Sequence, residues 1–121
     1  GVDVIFAAAG AAGLGVLEES SKHKGGYAIG VDSNQNGLFP GHVLTSMIKR
    51  VDKSVYDTLR VIHEDSWSSG IKHLGLREGA LDYAVDNDNR DLITPEIVEK
   101  VSAAREAIVN GTLDVPMYSP R

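Results

Sequence analysis

A carboxylate that follows directly on a buried apolar run is held at a sheet edge, and Asp32 is such a group. Tyr27-Ala28-Ile29-Gly30-Val31 is short, apolar and partly β-branched, as a buried strand should be, and it stops at Asp32. Ser33, Asn34, Gln35, Asn36 and Gly37 follow, each a turn former or a solvated amide. The carboxyl end of a buried strand is where open α/β sheets place the groups that touch a ligand. An isolated Asp there more often starts an Asx turn, so its neighbours have to decide. Upstream, Val2 to Phe6 is a second apolar run, and it passes into Ala7-Ala8-Ala9-Gly10-Ala11-Ala12-Gly13-Leu14-Gly15. Strand, glycine loop, helix, strand and terminal acid is the layout of a dinucleotide fingerprint, with Asp32 as the ribose-binding acid. The glycines, however, read Gly10-x-x-Gly13-x-Gly15, which reverses the order such a site requires. That reading ranks second.

Other chemistries find less support. His23, His42, His63 and His73 are scattered, with no pair at helical or chelating spacing. No Gly-x-Ser-x-Gly elbow exists for a nucleophile. The Asp86-Asn87-Asp88-Asn89-Arg90-Asp91 run lacks the spacing, central glycine and distal glutamate of a calcium loop, so a solvated loop is expected there. There are no cysteines, hence no disulfides and no thiolate chemistry. The 121 residues carry a net charge of −5, and no basic cluster exceeds Lys49-Arg50, which argues against a nucleic-acid surface. No apolar stretch is long enough to span a bilayer. Length and composition, 42% hydrophobic with 24% charged, fit one globular domain with a modest core.

The elements that must position these groups follow in order. Residues 2–6 read as a buried parallel strand. A helix over 11–22 follows, with Leu14 and Leu17 on one face and Gly25-Gly26 as its stop. Residues 27–31 complete a βαβ unit. The 33–41 loop is either a lip of the site or plain surface. A third strand covers 42–48. Val51, Val55, Leu59 and Ile62 then recur at spacings of four, four and three, one stripe of a helix from about 49 to 64. Residues 65–70 break it, with Trp67 a packing anchor, and 71–76 read as a short strand. Residues 77–93 carry no clear periodicity. Thr94-Pro95 starts a last helix with a hydroxyl cap and a proline in the first turn. Ile97, Val101, Ala104 and Ile108 are its expected buried stripe, and Gly111 its end.

Three blocks carry a family resemblance: the Asp3-Val4-Ile5-Phe6 strand with its Ala/Gly loop, the Ile29-Gly30-Val31-Asp32 strand end, and Leu44-Thr45-Ser46-Met47-Ile48-Lys49-Arg50-Val51-Asp52. In this order and spacing the chain resembles the basic membrane protein family, lipoproteins that capture purine nucleosides for an ABC importer. The first block departs from the family pattern, because Ala11 and Ala12 stand where a glycine and a threonine are usual and offer no hydroxyl. The resemblance implies an α/β, three-layer αβα lobe with a parallel sheet, of the type I periplasmic-binding-protein kind. It also implies that residues 1–121 are the carboxyl-terminal part of a two-lobed protein, since the chain opens at Gly1 and enters a strand almost at once. The amino-terminal lobe and a lipid-acceptor cysteine would then lie outside it.

The same resemblance implies a binding protein, not an enzyme, with no cofactor and no metal. It implies a small-molecule partner (a purine nucleoside), a permease, and an extracytoplasmic place, lipid-anchored or periplasmic. An interaction domain that kept the fold and lost the ligand is the other alternative. The site residues carried over are Asp32, Lys49, Gly10, Gly13 and Phe6. Asp32 would accept from both hydroxyls of a ribose diol, and Lys49 would donate to a ribose hydroxyl or base acceptor while pairing with Asp32. Gly10 and Gly13 would let backbone amides approach a sugar oxygen, with tight helix–strand packing as the rival explanation. Phe6 would stack on the base, or else pack in the core. The three strands are expected to be parallel, with the Gly10 loop, Asp32 and Lys49 at one edge. The 51–62 stripe is expected to lack a full partner within this length of chain.

Overall fold

The computed structural model describes residues 1–116. Its elements are β1 (Val4–Phe6), a 3₁₀ turn (Gly10–Ala12), α1 (Gly13–Ser21), β2 (Tyr27–Gly30), a second 3₁₀ turn (Asn36–Leu38), β3 (Val43–Lys49), α2 (Val51–His63), β4 (Leu81–Tyr83) and α3 (Pro95–Val109). Four strands form one sheet in the order β1-β2-β3-β4. The first three are parallel: Val4 pairs with Tyr27 and Phe6 with Ile29, then Gly30 with Ser46 after a register shift between Ala28 and Ile29. The fourth is antiparallel to β3, with Lys49 opposite Leu81 and Met47 opposite Tyr83. The fold is α/β with a parallel core and one antiparallel edge.

The core is small. Leu17 of α1 lies fully buried on Ala28 and Val43, with Val16 and Phe39 packed around them. Leu14, expected beside Leu17, is instead half-exposed. β1 is not buried either, because α1 packs against β2 and leaves β1 at the open edge of the sheet, with Phe6 53% exposed. The expected strand at 71–76 does not form, and Ile71 is 87% exposed. The chain turns there: Gly75 N–H donates to the Glu78 carboxylate at 2.7 Å and Ala80 N–H to Gly75 O at 2.9 Å. Leu81–Tyr83, in the stretch that showed no periodicity, takes the free edge of β3 instead. Trp67 is largely exposed rather than a packing anchor.

α3 starts as its sequence demands, the Thr94 hydroxyl accepting from Ile97 N–H at 3.3 Å with Pro95 in the first turn. It ends in a Schellman motif: Thr112 N–H reaches Ala107 O at 2.9 Å and Gly111 N–H reaches Ile108 O at 3.1 Å, with Gly111 at φ 75°. Its stripe is not buried as expected. Val101, Ala104 and Ile108 line an open apolar groove with Met47, Leu81 and Tyr83. α2 turns Lys53, Ser54, Asp57 and Val61 partly inward and its apolar stripe outward, so Val55 is 54% and Leu59 61% exposed.

Candidate functional site

Parallel strands end on the same side, so β1, β2 and β3 deliver Phe6, Asp32 and Lys49 to one carboxyl edge of the sheet. The turn that carries Gly10 leaves β1 at that edge. Asp32 and Lys49 are joined twice: Lys49 N–H donates to Asp32 O at 2.9 Å, and Lys49 Nζ lies 2.7 Å from Asp32 Oδ1. Both side chains remain about half exposed, so the pair is formed yet open to a ligand. Phe6 stands at the same edge with its ring half in solvent, not in the core.

Two different demands explain the glycines of the first turn. Gly10 takes φ 55°, a left-handed conformation that costs an L side chain roughly 1–2 kcal/mol. Gly13 has an ordinary helical backbone, but a Cβ there would stand 3.0 Å from Ala7 O. Tight packing therefore accounts for Gly13, and backbone conformation for Gly10.

Asp32 itself adopts φ 68°. Ser33 N–H donates across it to Val31 O at 2.8 Å, which makes Asp32 the centre of a γ-turn with positive φ, a rare and strained arrangement. Strain of this kind, roughly 1–3 kcal/mol, persists only where the surroundings over-determine it. The surroundings are the amides after the strand. Gln35 Oε1 accepts from Val31 N–H at 2.8 Å, and Gln35 N–H donates to Ser46 Oγ at 3.0 Å. Ser46 Oγ donates to Asn36 Oδ1 at 2.8 Å, and Asn36 Nδ2 donates to Asp86 Oδ2 at 3.0 Å. Asn34 Nδ2 reaches the same carboxylate oxygen at 2.6 Å. Gly30 makes room for this, since a Cβ there would lie 2.7 Å from Ser46 Oγ and 2.8 Å from Gln35 Oε1.

The Asp86–Asp91 run is only in part the solvated loop its composition suggests: Asn87, Asp88, Arg90 and Asp91 are exposed, but Asp86 and Asn89 turn inward. Asn89 is 1% exposed and donates to Leu44 O and Ala84 O, both at 2.9 Å, while its Oδ1 accepts from Asp86 N–H at 2.8 Å. Asn36, at 0% exposure, and Ser46 are buried with it. The Asp86 carboxyl is held below the usual range, first by the Asn34 amide, then by Asp88 N–H, and also by Asn36 and Asn89; partial burial opposes them. These residues escaped the sequence reading because amides score as solvated and the long-range partners lie far off in sequence, Leu44 being 45 positions from Asn89 and Asp86 52 positions from Asn34. Three amides in a row behind a strand-end Asp were the available signal.

Among the described residues no cluster of His, Asp and Glu is arranged to hold a metal ion, and no helix is long and apolar enough to cross a membrane. Residues 1–119 match the family model described as Bmp, ABC transporter substrate-binding protein PnrA-like. The chain belongs to this family. Membership sets aside the dinucleotide fold that the glycine loop had suggested, in favour of a family of substrate-binding proteins, not enzymes. Among Bmp relatives, the chain is 39% identical over 120 residues to basic membrane protein D of Borreliella burgdorferi, covering 96% of this chain and 35% of that one. It is 33% identical over 120 residues to basic membrane protein B of Borrelia garinii subsp. bavariensis, covering 96% and 33%. The chain thus spans about a third of the length of the curated relatives it matches.

Solved structures share the fold. A transcriptional activator of the comK gene from Bacillus halodurans superposes with a TM-score of 0.81 at 21% identity, over 93% of this chain and 38% of that one. An ABC transporter solute-binding protein from Aeropyrum pernix K1 gives 0.75 at 22% identity, over 94% and 40%. The fold therefore occurs in proteins of both kinds, and it is Bmp membership that speaks for ligand capture.

Proposed function

We propose that this chain is the carboxyl-terminal, ligand-contacting part of a two-lobed extracytoplasmic binding protein, lipid-anchored or periplasmic, that captures purine ribonucleosides for the permease of an ABC importer. The observation that carries this is the half-exposed Asp32–Lys49 pair, 2.7 Å apart at the carboxyl edge of the sheet. A ribose presents two adjacent hydroxyl donors, and one carboxylate accepts both; a free base or a 2′-deoxy sugar cannot make the same pair of bonds. Lys49 orients the carboxylate, and its remaining protons serve a ribose oxygen or a base acceptor. Phe6 offers its exposed ring to the base. The Gly10 turn brings backbone amides to the sugar, with Gly13 closing the helix onto the strand beneath. No bond is made or broken, and no cofactor takes part. The other lobe, supplied by the rest of the protein, covers the ligand and the outward apolar face of α2.

Equilibrium binding by the intact protein to guanosine, adenosine, their 2′-deoxy forms, free guanine and NAD tests this. Ribonucleosides should bind at least tenfold more tightly than deoxynucleosides, and free guanine more weakly still. Equal affinity for the two sugars would mean that the diol is not what the protein reads. Preference for NAD would return the site to dinucleotide chemistry.

A further inference from the structure

Asp86 touches neither Asp32 nor Lys49, yet the hydrogen bonds that hold the amino-terminal side of the Asp32 turn lead back to it. The γ-turn is held on one side by Gln35 Oε1 at Val31 N–H, 2.8 Å, and on the other by Lys49 N–H at Asp32 O, 2.9 Å. Gln35 is held by Ser46, Ser46 holds Asn36, and Asn36 and Asn34 both donate to Asp86 Oδ2, at 3.0 and 2.6 Å. The other carboxylate oxygen accepts from Asp88 N–H at 2.8 Å, and Asp88 O accepts from Gly41 N–H at 3.1 Å, which closes the far end of the 33–41 loop. One carboxylate from behind β4 thus gathers both ends of the loop that follows Asp32. A strained residue needs such over-determination to keep its place.

We infer that Asp86, acting through Asn34 and Asn36, is the positioning residue of the ligand site: it sets the left-handed Asp32 and so the direction of the carboxylate that meets the sugar. The inference rests on the ribose reading of Asp32 given above. Only a carboxylate suits this place, because three donors converge on it; an amide accepts on one side only and turns its own N–H groups toward the rest.

Asp86→Asn in the intact protein should weaken ribonucleoside binding about tenfold while leaving 2′-deoxynucleoside binding within about threefold. In an Asp32→Ala background the same change should have little further effect, since its influence passes through Asp32. Hydrogen exchange at the Ser33 and Lys49 amides, read without ligand, should quicken in Asp86→Asn. Asn34→Ala, which removes from Asp86 Oδ2 the one of its two amide donors that is exposed, should shift both properties in the same direction by a smaller amount, and this keeps the test decisive if Asp86→Asn folds poorly. Equal losses for the two sugars, additive losses in the Asp32→Ala background, or unchanged exchange at Ser33 and Lys49 would overturn the positioning role. Wild-type protein that binds no nucleoside would instead refute the ribose reading, and the exchange measurement would still decide whether Asp86 sets the turn.

Discussion

Behind β3 and on the outer face of α2, this chain inverts the usual rule of burial. Asn36, Ser46 and Asn89 are buried almost completely, whereas Val55 and Leu59 stand more than half exposed. The polar cluster tolerates burial because its members satisfy one another: Asn89 alone meets two carbonyls and one N–H. The apolar face of α2 has no such closure among the described residues. Such a face favours association. Among the described residues the interior at the carboxyl edge is thus closed, and the outer face of α2 is not.

The largest effect should come from opening the polar cluster. Asn89→Leu leaves Leu44 O and Asp86 N–H without the Asn89 partner, while Ala84 O keeps the Thr45 hydroxyl, and each buried unsatisfied group costs about 1–3 kcal/mol. A loss of about 3 kcal/mol in urea unfolding is expected. A loss below about 1 kcal/mol would mean that water reaches these groups and the cluster is not closed.

A smaller effect concerns acid. The Asp86 carboxyl is held low in the folded protein, so near the usual carboxylate range the unfolded chain binds more protons than the native one. Stability therefore rises with pH there: the contribution of Asp86 is complete above the ordinary Asp value and is lost as pH falls through the lowered one. Asp52, drawn to about 2 chiefly by Arg50, acts with the same sign, so only a difference isolates Asp86. The stability gap between wild type and Asp86→Asn should be full at pH 6 and narrow toward pH 3. A constant gap would show that charge is irrelevant at this position.

The smallest effect on stability, and the clearest contrast, is expected on α2. Val55→Lys with Leu59→Lys should change the unfolding free energy of residues 1–121 by no more than about 0.5 kcal/mol, as for surface positions generally. The same pair should abolish self-association of that piece in light scattering. A well-behaved wild-type monomer, or a loss of several kcal/mol, would place the stripe inside a finished domain.

Legibility in the sequence followed the same divide. β2 and β3, the α2 stripe and the Thr94-Pro95 start of α3 were all readable, because local periodicity and capping chemistry fix them. β4 was not, since Ile71–Leu76 has the more strand-like composition. The choice is made by the open edge of β3, which Leu81–Tyr83 reaches after the turn at Gly75–Ala80. β1 was read as buried from its composition, yet its neighbours leave it at an edge. Asp32 and Lys49 were found through the family pattern; spacing alone would have left Asp32 in an Asx turn. The shell behind them was invisible, because whether Asn36 is solvated or buried is decided by Asp86, fifty positions later.

The central claim is that the Asp32 carboxylate reads a ribose diol. Titration calorimetry of wild-type and Asp32→Ala intact protein against guanosine, adenosine and their 2′-deoxy forms tests it most directly. A hydrogen bond to a charged acceptor is worth roughly 1.5–3 kcal/mol, and two on one carboxylate need not add. Ribonucleoside affinity should therefore fall at least tenfold, about 1.4 kcal/mol, and 2′-deoxynucleosides should lose less. Equal losses for both sugars would contradict the claim and leave Asp32 a structural residue that holds its turn and Lys49.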